Sequence, residues 1–318
     1  MYRTGAHFSV VVTDQVFPDV EVERSLIEPA GGELRVASGS REEVLAAAGG
    51  ADAILNTYFA LDAGAIASLE RCKVIARYGI GVDNVDLEAA RRAGIAVTNV
   101  PDYCVEEVAT HAVGLILALV RRIPQGNAIV KGGGWGIGQL GEVRRLSELT
   151  VGLLGYGRIA RRVSRAVAAL GARVLVHDPY VPSVDGGERQ VGFDELMATA
   201  DVLSVHCPLT PETRGIVNAA TIKAMKPGAI IVNTSRGPIV SLGDVLGALR
   251  DGHLAGAGLD VLEVEPPPRS GELEVVPNLL LTPHAAFYSR EAIRESQHKA
   301  ATQVLKALRG EPLDYQVN

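Results

Sequence analysis

From Phe8 to Asn99, short β-branched and aliphatic runs alternate with stretches whose apolar positions recur at helical spacing. FSVVVTD, LRVAS, DAILN, KVIAR and IAVTN read as strands; SREEVLAAAGG, DAGAIASLE and DLEAARRAG read as helices between them. The strand runs are apolar on consecutive residues, the pattern of strands buried on both faces, and such alternation predicts a parallel, doubly wound sheet. This first unit has no phosphate loop of its own, so it is expected to contribute substrate groups. A long helix is predicted next, from Tyr103 to Arg122, with Glu106 and Glu107 in its first turn and Arg121 and Arg122 in its last, as the macrodipole favours. Its middle is apolar nearly all round, as in a buried connector between domains. From Thr150 the alternation resumes, with VGLLG, RVLVHD, VLSVH, AIIVN, AGAGLDV and LLLTPH as strands of a second doubly wound sheet. The last helix, SREAIRESQHKAATQVLKALRG, is amphipathic, ends at Gly310 and Pro312, and is read as crossing back onto the first unit. Between the connector and the second sheet lies PQGNAIVKGGGWGIGQLGEVRRLSEL, glycine-rich and holding Trp135, the single tryptophan. It reads as an arm packing on another subunit in preference to a lid.

Composition narrows the function classes. The 318 residues have room for roughly two domains with real cores. A net charge of −6 and a pI near 5.7 leave no basic footprint for nucleic acid or anionic lipid. Cys72, Cys104 and Cys207 are scattered and form no C-x-x-C pair, so they read as reduced thiols and neither a disulfide framework nor a metal site is expected. FSVVV is too short for a signal peptide, and the longest apolar run, around VGLILALV, falls short of the roughly 20 residues a membrane span needs. The expectation is a soluble cytoplasmic protein.

The chemistry starts at Val151–Ala160, where an apolar strand runs into G-x-G-x-x-A and directly into the helix-like RRVSRAVAALG. In this arrangement Gly155 permits the tight turn, Gly157 lets backbone approach a pyrophosphate, and small Ala160 lets helix and strand pack closely. The amides and positive dipole end at the helix start then face the phosphates. A second strand ends in Asp178, about 20 residues on, where a carboxylate can accept both ribose hydroxyls. The next residues are Pro179 and Tyr180 rather than an arginine, which favours NAD over NADP. Ligands in open α/β sheets bind beyond the carboxyl ends of the strands, and Arg236, Glu265 and His284 all fall at or just after such ends. An arginine there offers a planar fork for a carboxylate and carbonyl. A histidine can exchange a proton near neutral pH, and a neighbouring carboxylate fixes the ring and stabilises its charged form. Spacing alone leaves each its bland alternative, a surface ion pair or a capping histidine. His111, inside the long helix, reads as a hydrogen-bonded core histidine in preference to a catalytic one.

The blocks LGYGRIA, HDPY, HCPLTPETRG, MKPGAIIVNTSRG, GLDVLEVEP and NLLLTPHAA resemble the D-isomer-specific 2-hydroxyacid dehydrogenases, from about Val74 to near the C-terminus. VTNVPDYCVEE, DPY and HAAFYS bring the chain nearest to the C-terminal-binding-protein branch. The resemblance implies a flavodoxin-like substrate domain, 1–102 plus 287–318, around a Rossmann NAD domain, 103–286, usually in a homodimer. It places the catalytic arginine, glutamate and histidine on Arg236, Glu265 and His284, with Glu263 a competing carboxylate off the motif. The NAD-contacting positions fall on Gly155, Tyr156, Gly157, Arg158, Ile159 and Asp178. Further contacts fall on Cys207, Pro208, Thr213, Thr234, Ser235, Arg236, His284 and Ala286, and the nicotinamide-side aspartate on Asp260. RYGIGVDN supplies the substrate loop, with Arg77, Tyr78 and the amides of Gly79 and Ile80 toward the substrate carboxylate.

Departures from the family pattern sharpen the reading. Phosphoglycerate dehydrogenases usually carry an arginine-led loop after the third strand; here it is Asn56-Thr57-Tyr58-Phe59, without a cation for a phosphate. The absence of lysine from RYGIGVDN argues against phosphite, and Glu265 in place of glutamine argues against formate. The branch's tryptophan three residues after the histidine is Phe287, an aromatic wall suited to an apolar or thioether tail. The sequence therefore predicts hydride transfer between NAD and a small D-2-hydroxy or 2-keto acid. The alternative is an NAD(H)-sensing co-repressor scaffold; such a scaffold calls for long disordered tails, of which this sequence has almost none.

Overall fold

A computed structural model describes residues 7–184, 186–268, 271 and 273–318. The chain divides into two compact units, Met1–Tyr103 with Ser289–Asn318, and Cys104–Tyr288. In the first, strands β1 (Phe8–Val12), β2 (Gly32–Val36), β3 (Ala53–Asn56), β4 (Val74–Arg77) and β5 (Ala96–Thr98) form a parallel sheet in the order β2-β1-β3-β4-β5. This is the flavodoxin-like order, which reverses between β1 and β3. Every residue of β3 and β4 is buried, which is why their apolar runs are continuous. Helices Arg41–Ala48, Ala63–Ala67 and Leu87–Arg92 start where Ser40, Asp62 and Asp86 accept a backbone N–H from the first turn. Helix Glu21–Ile27 has no counterpart in the sequence reading. EVERSLI carries no apolar stripe, and its buried side chains are Glu23 and Ile27. Tertiary contacts hold it, chiefly with the final helix, Arg290–Arg309, which also packs against β3 and β4.

The second unit contains β6 (Thr150–Leu154), β7 (Arg173–His177), β8 (Arg189–Gln190), β9 (Val202–Val205), β10 (Ala229–Asn233), β11 (Leu254–Leu259) and β12 (Leu279–Leu281). All pair in parallel, in the order β12-β11-β10-β9-β6-β7-β8, a Rossmann order extended by one strand. Helices Val105–Val120 and Arg158–Ala169 cover one face of the sheet. Helices Phe193–Thr199, Ala219–Ala224 and Leu242–Arg250 cover the other. Each Val or Leu wholly buried between these layers contributes about 1.5–3 kcal/mol, so the sheet is a rigid platform for the loops at its carboxyl end.

The connector helix is Val105–Val120, within two residues at each end of the Tyr103–Arg122 reading. It ends at Val120, Arg122 takes φ 51°, and a second helix, Ile123–Lys131, leaves at 58°. A left-handed residue ends the hydrogen-bond ladder, and Pro124 is tolerated in a first turn where its missing N–H is not needed. The glycine-rich arm therefore begins as a helix. Among the described residues no single helix is long and apolar enough to cross a membrane.

Candidate active site

At the end of β6, Gly155 adopts φ 94°, and a Cβ on it would lie 2.6 Å from the Cys207 amide nitrogen. Only glycine lets the loops after β6 and β9 touch at the point where strand order reverses. Gly157 begins helix Arg158–Ala169, no side chain caps that helix, and a Cβ built on Gly157 meets nothing within 4 Å. Uncapped amides beside an open glycine form an anion cradle, which fits a dinucleotide pyrophosphate. Ala160 is wholly buried under the helix and Ile159 packs on the same core. Asp178 follows β7; its carboxylate accepts the Tyr156 amide at 2.8 Å and the Tyr180 amide at 2.9 Å, which fixes it beside the cradle. The Thr234 hydroxyl is buried without a hydrogen-bond partner, as an atom completed by a ligand would be.

Three of the cofactor positions have side chains engaged within the protein or held uncharged. The Tyr156 ring is buried under Arg161, 4.4 Å away, with its hydroxyl 2.8 Å from Glu188, so its ring and hydroxyl face the interior. Thr213 spends its hydroxyl within its own loop, accepting from the Thr210 amide at 2.8 Å and donating to the Pro208 carbonyl at 2.7 Å. Burial pushes the Cys207 thiol up to about 11, leaving it an uncharged wall. Ser235 ties its turn to β9 by donating to the Val205 carbonyl at 3.0 Å.

Two buried polar residues shape the loops that carry the candidate catalytic groups. Asn233, the last residue of β10, accepts the Ser235 amide at 3.0 Å and donates to the Arg236 carbonyl at 2.9 Å, holding the turn that presents Arg236. A Cβ on Gly237 would lie 1.9 Å from the Leu262 carbonyl, so this turn touches the segment leading to Glu265. Asp260, just after β11, accepts the Ala285 and Ala286 amides at 2.9 Å each and the Thr282 hydroxyl at 2.6 Å. His284 sits between them at φ 53°, a conformation that costs a residue with a Cβ about 1–2 kcal/mol, and these bonds offset it. The Asp260 carboxylate is thus engaged with its own loop, beyond the nicotinamide-side role the resemblance implies. Asn233 escaped the sequence reading, although a polar residue closing an otherwise apolar run was its signal.

His284 Nδ1 and Glu265 Oε2 are 2.6 Å apart, and Glu265 also accepts the Leu262 amide at 2.9 Å. Burial pulls the Glu265 carboxyl upward. The His284 hydrogen bond and charge, the Leu262 amide and the Arg236 charge together outweigh it and hold it below the usual carboxylate range. The competing Glu263 goes elsewhere, accepting the Leu242 amide at 3.1 Å. Phe287 stands edge-on to the His284 ring at 6.2 Å and is half-buried. His206 is unsuited to acid–base work, since burial pushes it down to about 4. His111 is hydrogen-bonded, its Nε2 lying 3.0 Å from Thr282 Oγ1 and 3.7 Å from Asp260 Oδ1, but it is not fully in the core: its side chain is 25% exposed.

In the first unit Arg77 ends β4, buried, with Nε donating to Asn84 Oδ1 at 2.6 Å. Its guanidinium backs onto Gly79, where a Cβ would lie 2.3 Å from Nη1. Tyr78 faces the other way: its ring is buried and its hydroxyl donates to Glu23 at 2.6 Å, so its side chain does not line the loop surface. The final helix grips this loop, Ser296 donating to the Tyr78 carbonyl at 2.6 Å and Gln297 to Glu23 at 2.9 Å. Asp14 accepts the Thr57 amide at 2.9 Å and the Phe59 amide at 3.1 Å, filling the concave side of the 56–59 loop with a carboxylate.

Strand order, the glycine turn after β6 and the carboxylate after β7 together define a dinucleotide-binding Rossmann protein. Residues 113–286 match the family described as D-isomer specific 2-hydroxyacid dehydrogenase, NAD binding domain. The chain belongs to the D-isomer specific 2-hydroxyacid dehydrogenases, and its second unit carries their NAD-binding domain. It is 36% identical over 315 residues to the D-3-phosphoglycerate dehydrogenase of Methanocaldococcus jannaschii, covering 97% of this chain and 59% of that protein. The chain thus spans little more than half the length of such curated relatives. A crystal structure of a Thermus thermophilus protein superposes with a TM-score of 0.89 at 35% identity, covering 98% of this chain and all of the other. D-lactate dehydrogenase of Aquifex aeolicus, solved with NAD and lactic acid, gives 0.86 at 27% identity over 95% of this chain and 96% of its own.

Proposed function

We propose that the protein is an NAD-linked dehydrogenase interconverting a small 2-keto acid and its D-2-hydroxy acid, with His284 as proton donor and acceptor. The observation that carries this reading is the 2.6 Å His284–Glu265 pair, set at the strand ends beside the Arg236 turn. In reduction the hydride comes from bound NADH. His284, its Nδ1 held by Glu265, gives a proton from Nε2 to the carbonyl oxygen, and ionised Glu265 stabilises the imidazolium. Arg236 polarises that oxygen and holds the substrate carboxylate with its planar fork. The unit Met1–Tyr103 with Ser289–Asn318 is the substrate domain, where Arg77 and the amides of Gly79 and Ile80 receive the carboxylate. Phe287 walls the reacting end and admits an apolar or thioether tail.

The substrate carries no phosphate, in contrast to what the names of the curated relatives describe. The 56–59 loop has no cation of its own. The nearby Arg41 is paired with Asp62 at 2.7 Å, donates to the Ala60 carbonyl at 2.8 Å and lies over the Phe59 ring. The deciding assay is NADH oxidation with glyoxylate, pyruvate, hydroxypyruvate, phenylpyruvate, 4-methylthio-2-oxobutyrate and 3-phosphohydroxypyruvate. Highest kcat/KM on the phosphorylated acid overturns the substrate assignment. Tight NADH binding with no turnover on the panel replaces the enzyme by the sensing scaffold.

Cofactor choice follows from Asp178. A 2′-phosphate would lie against its carboxylate, and two anions about 4 Å apart repel by roughly 4 kcal/mol near a protein surface. Discounted for screening, kcat/KM with NADH exceeds that with NADPH by about tenfold or more, and Asp178→Ala narrows the gap. Equal values for the two coenzymes in the wild type refute the assignment.

The protein is a homodimer in this reading. Ile123, Val130, Trp135 and Ile137 are all exposed on the arm, Trp135 at 83% and Ile137 at 87%, an apolar surface suited to an isologous partner. Light scattering at micromolar concentration reads twice the chain mass; a stable monomer rules this out.

A further inference from the structure

We propose that His111 is a positioning residue that acts on His284 through Thr282 and Asp260; this rests on the reading of His284 as the acid. Thr282 Oγ1 lies 2.6 Å from Asp260 Oδ1 and 3.0 Å from His111 Nε2. A hydroxyl has one proton, and a carboxylate gathering the Thr282 hydroxyl and two backbone amides is the acceptor for all three. Thr282 therefore donates to Asp260, and its oxygen accepts from His111. That direction places a proton on His111 Nε2 and makes a one-way chain from imidazole to hydroxyl to carboxylate, whose members polarise one another.

The chain ends on the group that braces the His284 loop. Asp260 binds the two amides after His284 through its carboxylate and the His284 amide through its carbonyl, at 2.8 Å. His111 begins the chain on helix Val105–Val120, whose neighbouring Ala109 and Ala112 are packed into the sheet core. A loop holding its histidine at φ 53° is thereby tied to the rigid layer beneath it. The ring is too exposed for a core histidine, and its Nε2 lies 3.0 Å from Thr282 Oγ1 and 3.7 Å from Asp260 Oδ1, so the hydroxyl is the nearer partner.

A reacting geometry is lost by displacements near 1 Å, which cost on the order of 10²-fold, and a loosened loop loses part of that. Thr282→Val keeps the shape and removes both bonds; it lowers kcat about tenfold while KM for NADH stays within about twofold. His111→Leu, at a partly exposed site, gives a smaller loss of about three- to tenfold. Thr282→Ser and His111→Gln restore the hydroxyl and the N–H donor and recover kcat to within about threefold. Unchanged kcat in both Thr282→Val and His111→Leu, or no rescue by serine and glutamine, overturns the proposal.

Nitrogen-15 NMR of labelled histidines reads the chain without turnover. Support is a proton on His111 Nε2, with His284 signals displaced in Thr282→Val and His111→Leu but not in Thr282→Ser. An Nε2 without a proton, or unmoved His284 signals, overturns it. If wild type reduces no keto acid, the dehydrogenase reading falls and the NMR result alone decides the chain.

Discussion

Replacing His284 by alanine lowers kcat for keto-acid reduction by about 10²–10⁴-fold, the usual worth of a positioned general acid. NADH affinity changes little, because the phosphate cradle and Asp178 lie on other loops. No neighbour takes over the proton: His206 is held neutral by burial, and Glu263 caps another helix. Near-full turnover by His284→Ala on the best substrate refutes the assignment. Glu265→Gln tests the same pair through pH. The His284 bond and charge help to hold Glu265 below the carboxylate range, so the stabilisation it lends the site is present at neutral pH and is lost as pH falls through that lowered value. A neutral amide does not titrate, so Glu265→Gln lowers kcat and removes the acid limit of the profile that the Glu265 carboxyl sets.

The fold was readable because strands buried on both faces leave continuous apolar runs, as in AILN of β3 and AIIVN of β10, with polar helical stretches between them. The phosphate cradle was readable because close backbone contact demands glycine, here Gly155 against Cys207. Arg236, Glu265 and His284 were readable as candidates because each is a polar residue in the loop that follows β10, β11 or β12. What stayed hidden depends on partners distant in sequence. Tyr78 turns inward because Glu23 and Gln297 wait there, 55 residues before it for Glu23. Asp14 reaches amides more than 40 residues on, and the local sequence of either segment says nothing of the other. The helix end near Arg121 and Arg122 was readable, but the left-handed turn at Arg122 and the helix that follows it were not, because an arginine carries no signal for that backbone. Asn233 and Asp260 show the same limit: each looks like the end of a strand until the loop it organises is seen folded back on it.

Arg236→Ala raises KM for the keto acid and lowers kcat together, the mark of a group that binds both the ground state and the developing alkoxide. Loss of one such donor costs about 10²–10³-fold in kcat. The turn itself survives, because Asn233 holds it through backbone atoms that alanine retains. Arg236→Lys recovers little, since a point charge cannot supply the two parallel N–H donors of the guanidinium. Arg236→Ala, unlike Arg236→Lys, withdraws one of the charges that keep Glu265 low, so the Glu265 carboxyl rises toward its ordinary value and the acid limit of the pH profile moves up with it. Steady-state kinetics across pH for wild type, Arg236→Ala and Arg236→Lys read all three effects at once. A variant with raised KM but unchanged kcat would reduce Arg236 to a ground-state anchor and leave oxyanion stabilisation to another group.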